Sequence, residues 1–132
     1  MDWKSLYESR LCSAEEAVRV IKSDNRIFMT GNVSVPQKLL AALVDYAPNV
    51  TNVEICQALS VGPGDYVKPE MEGHLRVNTL FISANVRKAV QEARADFTPV
   101  LLSEFTLLFK NGILPVDVAM IHVSPPDEHG FC

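Results

Sequence analysis

Arg26-Ile27-Phe28-Met29-Thr30-Gly31-Asn32-Val33-Ser34-Val35-Pro36, followed by Leu39, Leu40, Leu43 and Val44, decides the fold class. The first five residues make a short apolar run of the length and type of a buried strand. Gly31-Asn32 stops that run. Pro36 suits the first turn of a helix, where its missing N–H has no partner to lose. The four apolar residues beyond it recur at helical spacing and so share one buried face. A buried strand, a tight turn and an amphipathic helix together make the first half of a parallel βαβ unit.

The alternation continues on both sides. Upstream, Ser13 and Glu16 form a capping box, and Ala14, Ala17, Val18 and Ile21 predict a helix over residues 14–22, ended by Asp24-Asn25. Downstream, residues 50–58 read as a strand centred on Val53, Ile55 and Cys56. Residues 61–74, with three Gly and two Pro, read as a long loop. Residues 77–82 predict a third strand. Residues 84–94 predict a third helix with Val86, Ala89, Val90 and Ala93 inward. Residues 99–102 are a candidate fourth strand, and Ser103 caps a short helix through Lys110, closed by Asn111-Gly112. Pro115 introduces a final strand over 116–123, apolar on both faces. Together these elements predict an α/β fold: an open, mainly parallel sheet, its strands buried on both faces, with helices on both faces.

Composition narrows the function classes. With 132 residues the chain has room for one domain, and 48% hydrophobic content is enough to offset chain entropy, which excludes disorder. Twelve Lys and Arg against sixteen Asp and Glu give a net charge of -4 without a basic run, so nucleic acid is not an expected partner. The longest apolar run, residues 39–44, is far short of a membrane span, and no apolar stretch follows Met1-Asp2-Trp3-Lys4. Cys12, Cys56 and Cys132 are odd in number and scattered, which fits a reducing compartment, so a cytoplasmic protein is expected. Cys56 reads as a small buried hydrophobe.

In an open parallel sheet, ligands bind beyond the carboxyl ends of the strands. Small and polar residues collect there: Gly31-Asn32, residues 57–64, Ser83-Ala84-Asn85, Ser103-Glu104 and residues 124–130. At Gly31, Asn32, Val33, Ser34 and Pro36, free backbone N–H groups at the rim suit an anion or a carbonyl oxygen, while a tight turn alone would use Gly31 for its backbone freedom. Gly62-Pro63-Gly64-Asp65 is not a dinucleotide fingerprint, because Val stands at position 67 where the third glycine belongs. His122, Asp127, His129 and Cys132 match no zinc spacing, so no metal is expected. The segment Ser124-Pro125-Pro126-Asp127-Glu128-His129-Gly130 couples a rigid backbone to three ionisable side chains at a strand end, a costly composition for a plain connector.

Residues 112–132, GILPVDVAMIHVSPPDEHGFC, resemble the amino-terminal domain of the acetyl-CoA hydrolases/transferases. Ser13 to Val18, Ile21-Lys22-Ser23 and Gly31 to Pro36 are also similar to that domain, so the resemblance spans essentially the whole chain. It implies a CoA-transferase-like fold and an enzyme that moves CoA between an acyl-CoA and a small carboxylate. The implied intermediate is a glutamyl-CoA thioester; water as acceptor would give acetyl-CoA hydrolysis instead. The same resemblance puts the nucleophilic glutamate in a carboxyl-terminal domain, in cis or as a separate chain, so no catalytic residue is expected within residues 1–132. The alternative is a non-catalytic remnant or assembly module. Coenzyme A is then a substrate, with no permanently bound cofactor. Gly31, Asn32, Val33, Ser34, Pro36, Ser124, Pro125, Asp127, His129 and Gly130 become candidate cleft residues, and homo-oligomers are expected. By this reading the chain is less than one family domain.

Overall fold

The structure, a computed structural model, describes residues 2–132. Five strands form one sheet in the order β4-β3-β2-β1-β5, and every neighbouring pair is parallel. The strands are β1 Arg26–Met29, β2 Val53–Gln57, β3 Leu75–Thr79, β4 Asp96–Phe97 and β5 Val118–Met120. The helices are α1 Trp3–Arg10, α2 Ala14–Ala17, α3 Gln37–Tyr46, α4 Ala84–Gln91 and α5 Phe105–Lys110.

The topology places the layers. From β1 to β4 the chain moves steadily outward, and right-handed crossovers put α3 and α4 on one face. The step from β4 back to β5 reverses direction and carries α5 to the other face. Burial agrees with this. Ile27 and Met29 join Leu40, Leu43, Ile55, Val77, Val86 and Ala89 in one core, whereas Phe28 points the opposite way and meets Phe109 of α5 edge-on at 5.2 Å. The expected α/β sheet with helices on both faces is therefore present.

Burial on both faces is only partial, since on the second face Cys56 and Asn78 are buried while the polar row beside them is not. On the α5 side β1, β2 and β3 align Arg26, Glu54 and Arg76, and the Arg26 side chain stays 25% exposed beside Glu54 at 2.9 Å. Asn78 donates to Glu54 at 3.1 Å, and Arg76 pairs with Asp96 on β4. A single short helix cannot cover five strands, so this face is held by ion pairs and amide contacts beyond the reach of Phe109. Cys56 is fully buried, as expected, and burial, aided by the Glu54 carboxylate, pushes its thiol up to about 11.

Local readings were revised where tertiary pairing prevailed. The capping box of Ser13 and Glu16 forms, but α2 ends at Ala17 and tightens into a 3-10 turn over Val18–Val20 instead of running to residue 22. Helix α1 lacked a sequence signal and has no buried residue. Pro36 precedes α3 instead of occupying its first turn. The loop over 61–74 carries two 3-10 turns and the buried Tyr66. Strand β3 starts at Leu75 and stops at Thr79, because β2 ends at Gln57 and offers no partner further on. The fourth strand lies at Asp96–Phe97, not at 99–102, where Pro99 has no N–H for a ladder. Ser103 does not cap α5; it sits inside a 3-10 turn, and Glu104 precedes the helix without a side-chain cap. Ala93 closes α4 exposed, at φ 58, instead of facing inward. The last strand is three residues long, because β1, its one partner, ends at Met29.

Candidate functional site at the sheet rim

The order β4-β3-β2-β1-β5 has its switch point between β1 and β5, where successive crossovers leave on opposite faces and open a crevice at the carboxyl ends. The chain leaving β1 is Thr30-Gly31-Asn32-Val33-Ser34-Val35-Pro36, and the chain leaving β5 begins at Ile121. These two segments meet in an open groove of about 520 Å³, walled by Val33, Val35 and Pro36 on one side and Ile121, His122 and Val123 on the other. Lys38 supplies a basic side chain at its edge.

Thr30 joins the two segments. Its hydroxyl donates to the Ser34 carbonyl at 2.6 Å and accepts from the His122 N–H at 3.2 Å. Its own N–H donates to the Met120 carbonyl at 3.1 Å. Within the turn, the Asn32 N–H donates to Leu59 at 2.5 Å and the Ser34 N–H to Gly31 at 3.0 Å. Two donors expected to be free at the rim are thus committed to the fold. A Cβ on Gly31 would collide with the Leu59 carbonyl oxygen, so Gly31 serves a close backbone approach. Asn32 takes a left-handed conformation at φ 52, and Val33 projects outward, 91% exposed.

The segment 124–130 runs on from the groove and folds on itself. The Asp127 carboxylate accepts from the N–H groups of His129 at 2.8 Å and Phe131 at 2.9 Å, while Gly130 donates to the Asp127 carbonyl at 3.1 Å. Asp127 is therefore the organiser of a turn. Gly130, at φ 88, lies against the Trp3 indole of α1, where a Cβ would come within 2.9 Å. Ser124, Pro125 and His129 are exposed. The groove brings Val33 and Pro36 together with His122 and Val123, and the tip of the 124–130 loop sits instead beside α1. Among the described residues, no three His, Cys, Asp or Glu side chains are grouped closely enough to hold a metal ion.

A second feature of the rim escaped the sequence. Behind the switch point, on the α3 side, Gln57, Ser60, Tyr66 and Ser83 are all at most 4% exposed and form one hydrogen-bonded cluster with Asn85. Gln57 donates to Ser60 at 3.0 Å, Tyr66 donates to Gln57 at 3.0 Å, and Ser83 donates to Asn85 at 2.6 Å. Burial pushes the Tyr66 hydroxyl pKa up, against the opposing hydrogen bonds of Ser60, Gln57 and Asn85. Among the described residues every buried side-chain polar atom has a partner, so the cluster is a finished structural lock. It pins the 60–66 loop to the start of α4 and floors a cavity of about 370 Å³ whose apolar walls include Leu40, Val44 and Val61. A glutamine directly after the apolar pair Ile55-Cys56 was the one available signal.

A model of the acetyl-CoA hydrolase/transferase N-terminal domain matches residues 1–132. The chain belongs to this family. It is 41% identical over 132 residues to a 4-hydroxybutyrate coenzyme A transferase of Clostridium kluyveri, covering all of this chain and 31% of that protein. It is 38% identical over 122 residues to a succinyl-CoA:acetate/propanoyl-CoA:succinate CoA transferase of Fasciola hepatica, covering 91% of this chain and 25% of the relative. The chain thus spans about a third or less of the relatives' length. Its fold superimposes on RipA from Yersinia pestis with a TM-score of 0.86 at 25% identity, over 98% of this chain and 32% of that one. A 4-hydroxybutyrate CoA-transferase from Porphyromonas gingivalis gives 0.74 at 26% identity, over 96% and 28% of the two chains. Among the described residues, no helix is long and apolar enough to cross a membrane.

Proposed function

We propose that this chain is the amino-terminal part of a CoA-transferase and forms one wall of its acyl-CoA and carboxylate cleft. The observation that carries the reading is the groove at the β1/β5 switch point, in a fold whose named relatives transfer CoA. The nucleophilic glutamate comes from a carboxyl-terminal domain, in cis or as a separate chain. Its carboxylate attacks the thioester carbonyl and expels CoA thiolate, leaving a mixed anhydride. The thiolate then attacks the glutamyl carbonyl, releasing the first carboxylate and forming the glutamyl-CoA thioester. The acceptor carboxylate then attacks the glutamyl carbonyl and expels CoA thiolate to give a second mixed anhydride, and the thiolate attacks the acceptor's acyl carbonyl, releasing the new acyl-CoA and the free glutamate. Water as acceptor would make the same machinery an acetyl-CoA hydrolase; the named relatives favour the carboxylate.

In this scheme the residues of the chain bind and orient. Gly31, Asn32, Val33, Ser34 and Pro36 contribute the rim turn, with Lys38 as the cation nearest the groove for an anionic substrate. Ser124, Pro125, Asp127, His129 and Gly130 shape the neighbouring loop, and Asp127 sets its backbone. The protein works in the cytoplasm as a homo-oligomer. The purified chain alone should show no CoA transfer from acetyl-CoA to 4-hydroxybutyrate. Adding the carboxyl-terminal two thirds of the Clostridium kluyveri relative should restore turnover, and loss of that turnover with Val33→Asp would locate the groove. Sustained transfer by the 132-residue chain on its own would overturn the proposal.

A further inference from the structure

Gln57, Ser60 and Tyr66 close a ring of hydrogen bonds in which each side chain gives one and takes one. The Tyr66 hydroxyl donates to Gln57 Oε1 at 3.0 Å, and Gln57 Nε2 donates to Ser60 Oγ at 3.0 Å. With the tyrosine proton so committed, Ser60 is the donor in its 2.9 Å contact with Tyr66 Oη. A ring running one way round polarises each bond in turn and so holds one geometry more firmly than separate bonds would. Its members come from different places: Gln57 ends β2, Tyr66 sits in the 3-10 turn Asp65–Val67, and Ser60 lies on the loop between them.

Ser60 stands one residue past the contact that shapes the rim turn. The Leu59 carbonyl accepts the Asn32 N–H at 2.5 Å and fills the space a Gly31 side chain would need, and Asn32 pairs with Ser60 as a parallel bridge. Thr30 anchors the far end of the turn through the Ser34 carbonyl, so the Asn32 end depends on Leu59. Asn32 takes φ 52, a conformation that persists in an L-residue only where its surroundings hold it. The next residues, Val33 and Val35, wall the switch-point groove.

We propose that Tyr66 is a positioning residue for that groove, its hydroxyl fixing the turn at Asn32 through Ser60 and the Leu59 carbonyl. Tyr66 is 1% exposed, and a phenylalanine there would fill the core without the cost of burying a hydroxyl. What the hydroxyl adds is the placement of Ser60. This rests on the reading of the groove as a cleft wall and names the residue that sets its shape.

Amide hydrogen exchange followed by NMR tests the link without any turnover. Tyr66→Phe keeps the aromatic ring and removes only the hydroxyl. It should speed exchange of the Asn32 N–H about tenfold relative to the amides paired between β1 and β2, as loss of one hydrogen bond would. Val53→Ala, a core truncation at the opposite end of β2, should lower the urea midpoint without that selective rise. Should Tyr66→Phe fail to fold, Ser60→Ala breaks the same ring and reads the same amide. In the assembly with the carboxyl-terminal part of the Clostridium kluyveri relative, Tyr66→Phe should also lower kcat/KM about tenfold, and Val53→Ala should not. The exchange result decides the link whether or not that assembly turns over. An Asn32 rate that rises no more than the β1–β2 amides, in either folded variant, would overturn the positioning. A selective rise with unaltered turnover would uphold the link from Tyr66 to Asn32 and overturn the reading of the groove as a cleft wall.

Discussion

Gly31 has no room for a side chain: the Leu59 carbonyl lies where its Cβ would be. Because the obstacle is backbone held by the β1–β2 register, it cannot rotate aside. Gly31→Ala should cost about 1–3 kcal/mol, in the range of overpacked sites, and lower the urea midpoint. An unchanged midpoint would mean that the rim turn moves freely. The sequence marked this glycine as a turn residue, but its reason is a contact across the sheet. Asp127 shows the same limit from the other side. It stood as a candidate cleft residue, and in the fold its carboxylate accepts two backbone N–H groups of its own loop. Residue type announces what a side chain can do, and the backbone around it decides what it does.

At the scale of elements, pattern placed what local chemistry controls. The capping box and the apolar face of α3 were legible because both depend on residues within a few positions of each other. Element ends were less legible, since a strand lasts as long as its partner does. The close of α4 shows the conflict. Ala93 looked like a fourth core position of the helix, yet it adopts φ 58, a conformation that L-residues occupy at a cost. The chain turns there so that Ala95 can enter the core at 4% exposure. Ala93→Gly should therefore stabilise the protein by about 1 kcal/mol, the steric penalty of a left-handed residue less glycine's extra chain entropy. Equilibrium urea unfolding measures this; a loss of stability would show that Ala93 makes a contact worth more than its strain.

For the molecule as a whole, the two faces of the sheet unfold as one unit if the fold is cooperative. Cys56 reports on this from the middle of the sheet. Cys12 and Cys132 are exposed, whereas Cys56 is fully buried. A disulfide reagent should consume two thiols at once and the third only through global opening. Cys56 also sets an alkaline limit. Burial holds its folded pKa at about 11, above the ordinary thiol value of 9.0. The folded state then holds the proton more tightly, and its stability is complete below about 9 and declines as pH rises toward about 11. Cys56→Ala should remove that decline from a series of urea melts, and a decline that persists would assign it to other groups.

By itself the sequence determined the α/β class, the strand–turn–helix at residues 26–46, and the family to which the chain belongs. Those follow from periodicity, turn chemistry and a closing motif, all of which are local. The tertiary structure alone decided that β5 lies beside β1, that the β1 and β5 exits form one groove, and that Gln57, Ser60, Tyr66, Ser83 and Asn85 close into a buried lock. The physical reason is distance along the chain. Thr30 and His122 are 92 positions apart, and no local pattern records which carbonyl a hydroxyl will reach until the sheet order has brought the two strands side by side.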